Sequence, residues 1–395
     1  LLRIVLDKKA SDLHLAVGSP PMIRTDGDIE RVKWRTLTEH EYENLIRPIA
    51  PPKLWDDWSA KGDTDFAYAM GDRARFRVNL FRQENGAAAV LRMIPPRVLT
   101  IEELGMPPIV ASVGRIQRGL VLVTGPTGSG KSTTLAALLD WINRNRALHV
   151  VTVEDPVEFM HVSNKAIMTH REVGFDTMNF AAAVKAALRE DPDVLLVGEL
   201  RDLETMTMAL QAAETGLLVF GTLHTNSAAG VLPRLLDMGI EPFLIASTVN
   251  TVIGQRLVRR ISEKNQPYQS DELETKSIQE TVGMILPKDA VSMPKIAEDI
   301  GYKTLPLSTQ VSYNLVKGID SPKTPGGYKG RMGLYEVMDV SETIQSLIVK
   351  HATSAEIQRQ AMLEGMVTMR QDGYMKALQG MTTLEEVNRV AANMA

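Results

Sequence analysis

Residues 119–142, GLVLVTGPTGSGKSTTLAALLDWI, decide the fold of this chain. An apolar strand is followed by a glycine-rich turn and a helix, and the turn fits the pattern G-x-x-x-x-G-K-[ST]. Its glycines let successive backbone N–H groups surround phosphate oxygens, and the helix N-terminus adds a positive field. Lys131 supplies a cation for the terminal phosphates, and Ser132 offers a hydroxyl group to Mg²⁺. We therefore predict a nucleotide-phosphate site at Gly125, Pro126, Thr127, Gly128, Ser129, Gly130, Lys131, Ser132 and Thr133.

Strands and helices alternate through the surrounding segment, from about residue 109 to residue 260. The apolar runs GLVLVTG, HVVTVED, DVLLVGE and LLVFGTLHT are separated by helices predicted at 131–144, 179–189 and 202–214. Such alternation implies βαβ units around a mostly parallel sheet. The predicted fold class is therefore α/β, with a parallel-rich sheet.

Acidic residues accompany two of these strands. Glu154, Asp155 and Glu158 follow one strand, and the segment DPDVLLVGELRD adds Asp193 and Glu199, which we also expect at a strand end. Carboxylates at the C-terminal tips of parallel strands, beside a phosphate loop, can organise the attack of water on a γ-phosphate. The alternative is that these acids only cap the helices that follow.

His224 ends the apolar strand in GTLHTN, at the sheet edge where the acidic residues are predicted. A lone histidine at a strand end is often a hydrogen-bonded structural residue. The residues by themselves leave the structural and the catalytic interpretation open.

The rest of the chain divides by composition. Short helical and strand-like runs at the N-terminus, with tight turns at Asp26-Gly27 and at Glu84-Asn85-Gly86, indicate a small α+β domain. The segment after the central domain is polar and proline-rich, which predicts an irregular structure, and the tail is predicted to be helical with Ser354 and Thr382 as caps. The predicted boundaries are 1–98 for the N-terminal domain, 99–112 for a linker, 113–261 for the central domain, 262–328 for an insertion and 329–395 for the C-terminal region.

Composition narrows the possible functions. The chain has 395 residues, 44% hydrophobic and 23% charged, as in globular proteins. A net charge of −4 gives no general drive onto nucleic acid or anionic lipid. The absence of cysteine excludes disulfides and cysteine-bound zinc and fits the cytoplasm. We expect no signal peptide and no transmembrane segment, because the longest uncharged stretch contains Gly216, Gly221, His224 and Asn226.

The phosphate loop, VEDPVE, DPDVLLVGELRD and FGTLHTNSA, in this order and spacing, resemble the secretion ATPase superfamily. This superfamily contains the type IV pilus extension and retraction motors and the type II secretion ATPases, and the resemblance covers nearly the whole chain. It implies a PAS-like N-terminal domain joined to a RecA-like ATPase domain. It also implies a homohexamer that hydrolyses ATP with Mg²⁺ and acts on an inner-membrane platform protein. The location implied is cytoplasmic, peripheral at the inner face of the membrane.

The resemblance also implies roles for residues near the phosphates. Glu199 corresponds to the Walker B glutamate, and Glu154 lies in the acidic box where a general base is expected, with Glu158 as the less favoured choice. His224 matches the second histidine of the family's TGH-x-x-x-x-T-L-H-T pattern, whereas the first is replaced by Leu217.

Arginines of the N-terminal domain are implied as well. Arg77 in RFRVN and Arg92 in VLRMIP match the family positions that reach the γ-phosphate. Guanidinium groups brought in by domain closure would neutralise charge on the transferred phosphoryl group. The alternative is that Arg77 and Arg92 are simply two solvated arginines on strands, and Arg75 and Arg82 are neighbours that could take this role instead.

Two rival functions accompany this interpretation. A DNA-translocating RecA-like ATPase would favour a basic pore, and the acidic net charge weighs against it. A regulator that binds nucleotide without hydrolysis is opposed by the presence of Glu154, Glu199 and Lys131. Extension and type II motors usually carry a tetracysteine zinc site, which this chain lacks, so we expect no zinc.

Overall fold

The structure is a computed structural model that describes residues 1–25, 28–71, 73–94 and 97–391. The chain forms two compact units. The first unit comprises Leu1–Val98, Glu154–His161 and His170–Asp176. The second comprises Leu99–Val153, Val162–Thr169 and the chain from Thr177 onwards.

An antiparallel sheet with helices forms most of the first unit. Its elements are α1 (Leu2–Asp7), β1 (Asp12–Ala16), β2 (Met22–Thr25), β3 (Asp28–Arg31), α2 (Glu39–Ile46), α3 (Pro52–Lys61), β4 (Asp63–Ala69), β5 (Arg75–Gln83) and β6 (Gly86–Ile94). The six strands lie in the order β3-β2-β1-β6-β5-β4. The predicted turn between β5 and β6 is confirmed, since Gln83 pairs with Gly86. The turn predicted at Asp26-Gly27 lies outside the described residues, although β2 and β3 on either side of it pair antiparallel.

The hydrophobic core of this unit lies against its antiparallel sheet. Phe76, Val78 and Leu80 point inward from alternate positions of β5, as a half-buried strand requires. Tyr42 of α2 is fully buried, and its hydroxyl donates to the Ala88 carbonyl at 2.8 Å. These residues form a hydrophobic core within this unit, and the buried phenol group in that core has a hydrogen-bond partner.

From residue 99 onwards, strands and helices alternate as predicted. The elements are α4 (Pro108–Val113), β7 (Gly119–Thr124), α5 (Lys131–Asn145), β8 (His149–Glu154), β9 (Ile167–Glu172), α6 (Phe180–Ala187), β10 (Val194–Val197), α7 (Leu203–Glu214), β11 (Leu218–Leu223), α8 (Val231–Asp237), α9 (Pro242–Thr248) and β12 (Val249–Ile261). The side chains of Asn179 and Asp202 cap α6 and α7. Side-chain acceptors at these positions satisfy backbone donors in the first turn, so both helices begin where the sequence indicates.

The remaining elements follow in the last third of the chain. They are β13 (Asn265–Gln269), α10 (Glu272–Val282), α11 (Met293–Asp299), β14 (Asn314–Gly318), a 3₁₀ turn (Pro325–Gly327), β15 (Tyr328–Asp339), α12 (Glu342–Val349), α13 (Ser354–Leu363), α14 (Met369–Leu378) and α15 (Leu384–Ala391). The large sheet has the order β15-β12-β7-β11-β10-β8-β9. β12, β7, β11, β10 and β8 are parallel neighbours, whereas β15 is antiparallel to β12. The predicted α/β class with a parallel-rich sheet is confirmed.

The segment 262–328 is more regular than its composition indicates. It contains two α-helices and a two-stranded ribbon of β13 and β14. α10 begins at a capping box formed by Asp271 and Glu274, and it buries Ile278 and Val282. These side chains share one hydrophobic cluster with Tyr313 and with residues of β12, β15, α14 and α15. The prediction of an irregular segment was therefore wrong, because short helices with one apolar stripe leave most of their residues polar.

Two predicted helix caps are each displaced by one residue. Thr353, and not Ser354, caps α13 by accepting from the Glu356 backbone N–H. The Thr382 hydroxyl donates to the Arg259 carbonyl, whereas Thr383 accepts from the Glu386 N–H. Among the described residues, no helix combines the length and the apolar character needed to cross a bilayer.

Candidate functional site

The phosphate loop lies between β7, which is buried along its whole length, and the first turn of α5. Lys131 opens the helix, and its Nζ donates to the carbonyl oxygens of Gly125 at 2.9 Å and Pro126 at 3.2 Å. The tip of the loop from Pro126 to Gly128 is exposed, as is Ser132. A ligand can therefore reach both the backbone N–H groups of the loop and the Ser132 hydroxyl.

Two neighbouring groups shape the inner side of this loop. Ser129 is 3% exposed, and its Oγ has no hydrogen-bond partner within the described parts of the chain. Gln255 of β12 accepts from the Thr134 hydroxyl at 2.7 Å, which fixes its amide behind the loop. A buried hydroxyl without a partner costs free energy, and a phosphate oxygen would satisfy it. These residues fit the phosphates of a nucleotide.

Glu199 and His224 meet at the sheet edge where the phosphate loop also lies. They follow β10 and β11, which run parallel to each other, and β11 runs parallel to β7. His224 Nε2 lies 2.9 Å from Glu199 Oε1, and the same oxygen accepts from Arg201 Nε at 2.6 Å. The predicted pair is thus brought together by the strand order, and the carboxylate has two cationic or polar donors.

The charge state of Glu199 follows from these contacts. Burial by itself would raise the pKa of this carboxyl group. The hydrogen bond and charge of Arg201, together with His224, outweigh the effect of burial and hold its pKa below the ordinary value. Glu199 is therefore an anion at neutral pH.

The other predicted carboxylates divide between two locations. Glu154 is the last residue of β8 and is half-buried, and Glu158 follows on the loop. Asp193 precedes β10 and accepts from the His149 backbone N–H at 2.8 Å, at the opposite end of these strands. The expectation that Asp193 stands at the C-terminal strand tip was wrong, because it joins the starts of β8 and β10.

The predicted arginines lie together on the antiparallel sheet of the first unit. Arg77 of β5 pairs directly with Arg92 of β6. Arg92 donates to Asp12 at 2.8 Å while its side chain stays 70% exposed, and Arg77 lies 3.8 Å from Asp65 with 43% of its side chain exposed. Both guanidinium groups therefore have surface available for a ligand.

The two alternative arginines are engaged elsewhere. Arg75 donates to the Val157 carbonyl and pairs with Glu172 at 3.3 Å, and 21% of its side chain is exposed. Arg82 lies over the ring of Trp58, with 5.2 Å between its Cζ and the ring centroid. Arg75 is thus less accessible to a ligand than Arg77 and Arg92, whereas Arg82 is exposed as they are.

Several polar residues around the site were not found by sequence reasoning. Arg201 was overlooked, although its position two residues after Glu199 is a local signal. Thr124, at the end of β7, shares a 2.7 Å hydroxyl–hydroxyl hydrogen bond with Thr225, which follows His224. Gln255 lies on β12, outside the motifs singled out in the sequence. No local pattern marks Thr225 or Gln255, because their partners are more than a hundred residues away in the chain.

Comparisons with known proteins identify the family of this chain. Residues 5–389 match the family described as type II/IV secretion system protein. The chain is 49% identical over 267 residues to the type IV pilus retractation ATPase PilT of Pseudomonas aeruginosa, covering 66% of this chain and 78% of that protein. It is 38% identical over 407 residues to type II secretion system protein E of the same organism, covering 99% of this chain and 74% of the relative.

A solved structure gives the same result. The chain is similar to the pilus retraction motor PilT with bound ADP, with a TM-score of 0.76 and 33% identity. The alignment covers 98% of this chain and 95% of that one. The resemblance indicated by the motifs is confirmed, and the chain belongs to the family of type II/IV secretion system proteins.

Proposed function

We propose that this chain is an ATPase that converts hydrolysis into mechanical work, powering type IV pilus assembly or retraction or type II-like secretion. The observation that carries the proposal is the pairing of anionic Glu199 with His224 at the sheet edge of the phosphate loop. A regulator that only binds nucleotide would not require an ionised carboxylate with two donors at this edge. The names of two similar proteins, a type IV pilus retractation ATPase and a type II secretion system protein E, support the same activity.

Substrate binding rests on the phosphate loop. Its exposed backbone N–H groups and Lys131 hold the β- and γ-phosphates of ATP, and the Ser129 hydroxyl gains an acceptor. Ser132 and the anionic Glu199 are the groups that would hold Mg²⁺, which neutralises charge on the phosphates when bound.

Hydrolysis needs a base and positive charge. Glu154 is the proposed general base that takes a proton from water as that water attacks the γ-phosphorus and the bond to ADP breaks. Glu158 is the alternative base. Arg77 and Arg92 are proposed to neutralise the negative charge on the transferred group, which would couple movement of their domain to hydrolysis.

The wider assignment follows the family. We propose a homohexamer, peripheral at the cytoplasmic face of the inner membrane, that acts on a platform protein. The proposed domains are a PAS-like domain at 1–98, a linker at 99–112 and a RecA-like core at 113–261. They are followed by a cysteine-free subdomain at 262–328 and a C-terminal region at 329–395.

The test is steady-state ATPase activity with mass determination in solution. We expect a hexamer whose kcat falls at least about a hundredfold in Glu199→Gln and in Glu154→Gln. Glu158→Gln decides between the two candidate bases, since it should retain kcat within about twofold if Glu154 is the base, while Lys131→Ala should lose ATP binding. A monomer that binds ATP with no turnover above the Lys131→Ala level would instead establish a regulator. Stimulation by DNA would indicate a translocase.

A further inference from the structure

A buried carboxylate joins the His224 loop to the C-terminal helices. Glu336 of β15 is 3% exposed, and its Oε1 accepts from the Ala228 backbone N–H at 2.6 Å. Its Oε2 accepts from the backbone N–H of Met369, the first residue of α14, at 3.3 Å. One side chain therefore holds both the loop that follows His224 and the start of a helix 33 residues further along the chain.

The sheet is built around this side chain. Gly254 of β12 pairs with Glu336 across the strands, and a Cβ atom at Gly254 would lie 2.7 Å from Glu336 Cγ. Any larger residue at that position would displace the carboxylate. Burial raises the pKa of Glu336 and disfavours its charge, so its backbone partners and Arg256 are needed to keep it in place.

Arg256 holds the same loop from the neighbouring strand. It lies on β12 and is 9% exposed, and its Nη2 donates to Asn226 Oδ1 at 3.0 Å. In the antiparallel register, Arg256 is diagonal to Glu336 on the same sheet face, so the opposite charges attract. The loop from Thr225 to Gly230 is thus held at two points by buried side chains.

We propose that Arg256 and Glu336, which we call the loop clamp, are positioning residues for ATP hydrolysis. The clamp fixes the Thr225–Gly230 loop and thereby holds the His224 imidazole at Glu199. Misplacement of a group at a reacting centre by about 1 Å can cost roughly a hundredfold in rate, so a clamp on the adjoining backbone has a measurable effect. This inference rests on the proposed function, because its kinetic readout is ATP turnover.

The clamp also connects the site to the C-terminal region. Asp372 of α14 accepts from the Tyr335 backbone N–H at 2.8 Å, next to Glu336 on β15. Two of the hydrogen bonds between α14 and β15 therefore pair a carboxylate of one element with a backbone N–H of the other. A displacement of α14 would therefore move the Glu336 side chain, and with it the backbone at Ala228 and the nearby His224.

The kinetic test compares Glu336→Ala, Glu336→Gln and Glu386→Gln. Glu386 is the matched control, since it is a fully buried carboxylate that joins α15 to β12 through Arg259. We expect kcat to fall about tenfold to a hundredfold in Glu336→Ala, with KM for ATP within about twofold of wild type. Glu336→Gln should recover part of kcat because its amide oxygen can still accept from Ala228, and Glu386→Gln should keep kcat.

A second readout does not depend on activity. Hydrogen exchange at the Ala228 amide should accelerate at least about tenfold in Glu336→Ala relative to Glu386→Gln, and less in Glu336→Gln, whose amide oxygen can still accept from Ala228. If Glu336→Ala does not fold, Asn226→Ala removes the 3.0 Å hydrogen bond from Arg256 to the exposed Asn226 side chain and should lower kcat without changing KM for ATP. Unchanged kcat together with unchanged Ala228 exchange would overturn the clamp while leaving the ATPase intact. Absence of turnover in the wild type would overturn the proposed function and the clamp together.

Discussion

At the residue scale, Glu386 shows how a buried charge contributes to stability. It is fully buried on α15 and accepts from Arg389 Nη2 at 2.6 Å and from Arg259 Nη2 at 2.8 Å. Burial would raise the pKa of Glu386, but hydrogen bonds from Arg389 and Arg259 lower it to about 2. A lowered carboxyl pKa stabilises the folded state above the ordinary pKa of 4.5, and this stabilisation is lost as pH falls towards 2.

We therefore predict that Glu386→Gln lowers the free energy of unfolding by roughly 3 kcal/mol at pH 7. The difference from wild type should be constant above about pH 5 and should shrink as pH falls from about 5 towards 2, because the Glu386 carboxyl group of the unfolded chain takes up a proton while that of the folded chain stays ionised until about pH 2. Urea unfolding at each pH measures this. A difference that stays constant from pH 7 to pH 3 would contradict the lowered pKa.

Residues differ in how far the sequence reveals them. The phosphate loop could be predicted because its glycines, Lys131 and Ser132 are consecutive, so the chemistry is contained in one motif. Glu199 and His224 could be predicted because each ends an apolar strand. The Glu336–Ala228 contact could not be predicted, since it spans 108 residues and depends on β15 lying beside β12.

At the element scale, the sequence predicted the presence of most helices better than the residues at which they begin and end. The helices α5, α6 and α7 begin at or next to the predicted residues because a glycine or a capping side chain marks each start. The caps at Ser354 and Thr382 were wrong by one residue because two adjacent hydroxyl residues stand at each helix start, and only backbone geometry selects between them. The helices of the segment 262–328 were missed because its prolines resemble loop signals.

The start of α5 supports a prediction about the phosphate loop. Gly130 has φ +90°, and a Cβ atom there would lie 2.8 Å from Gln255 Nε2. Gly130→Ala should weaken ATP binding at least about tenfold, because a backbone strain of roughly 1–3 kcal/mol adds to a contact with the buried amide. Gly128→Ala is the matched control, since Gly128 has φ +78° but no atom within 4 Å of the added carbon.

Binding of a fluorescent ATP analogue measures the difference between the two variants. Gly128→Ala should weaken binding less than Gly130→Ala, because it carries the backbone strain without the contact to Gln255. Equal affinities would show that packing of the loop against β12 does not matter for nucleotide binding.

At the scale of the whole molecule, the sequence predicted a small α+β domain and an α/β domain, but not the strand order within either. Alternating strands and helices favour a parallel sheet, yet the order β15-β12-β7-β11-β10-β8-β9 depends on contacts between distant strands. The antiparallel strand β15 was not predicted, and it carries Glu336. The described residues contain separate hydrophobic cores, one around Phe76 and one around Phe220.

Separate cores predict separate unfolding transitions in calorimetry. Phe76 and Phe220 are both fully buried, so truncation of either to alanine should cost about 3–5 kcal/mol and lower one transition by roughly 10 °C or more. Phe76→Ala should lower one transition, and Phe220→Ala should lower the other. ADP with Mg²⁺ should raise the transition that Phe220→Ala lowers, because the phosphate loop belongs to that unit and ligands stabilise the state they bind. A single transition that both variants lower equally would mean that the two cores unfold as one cooperative unit.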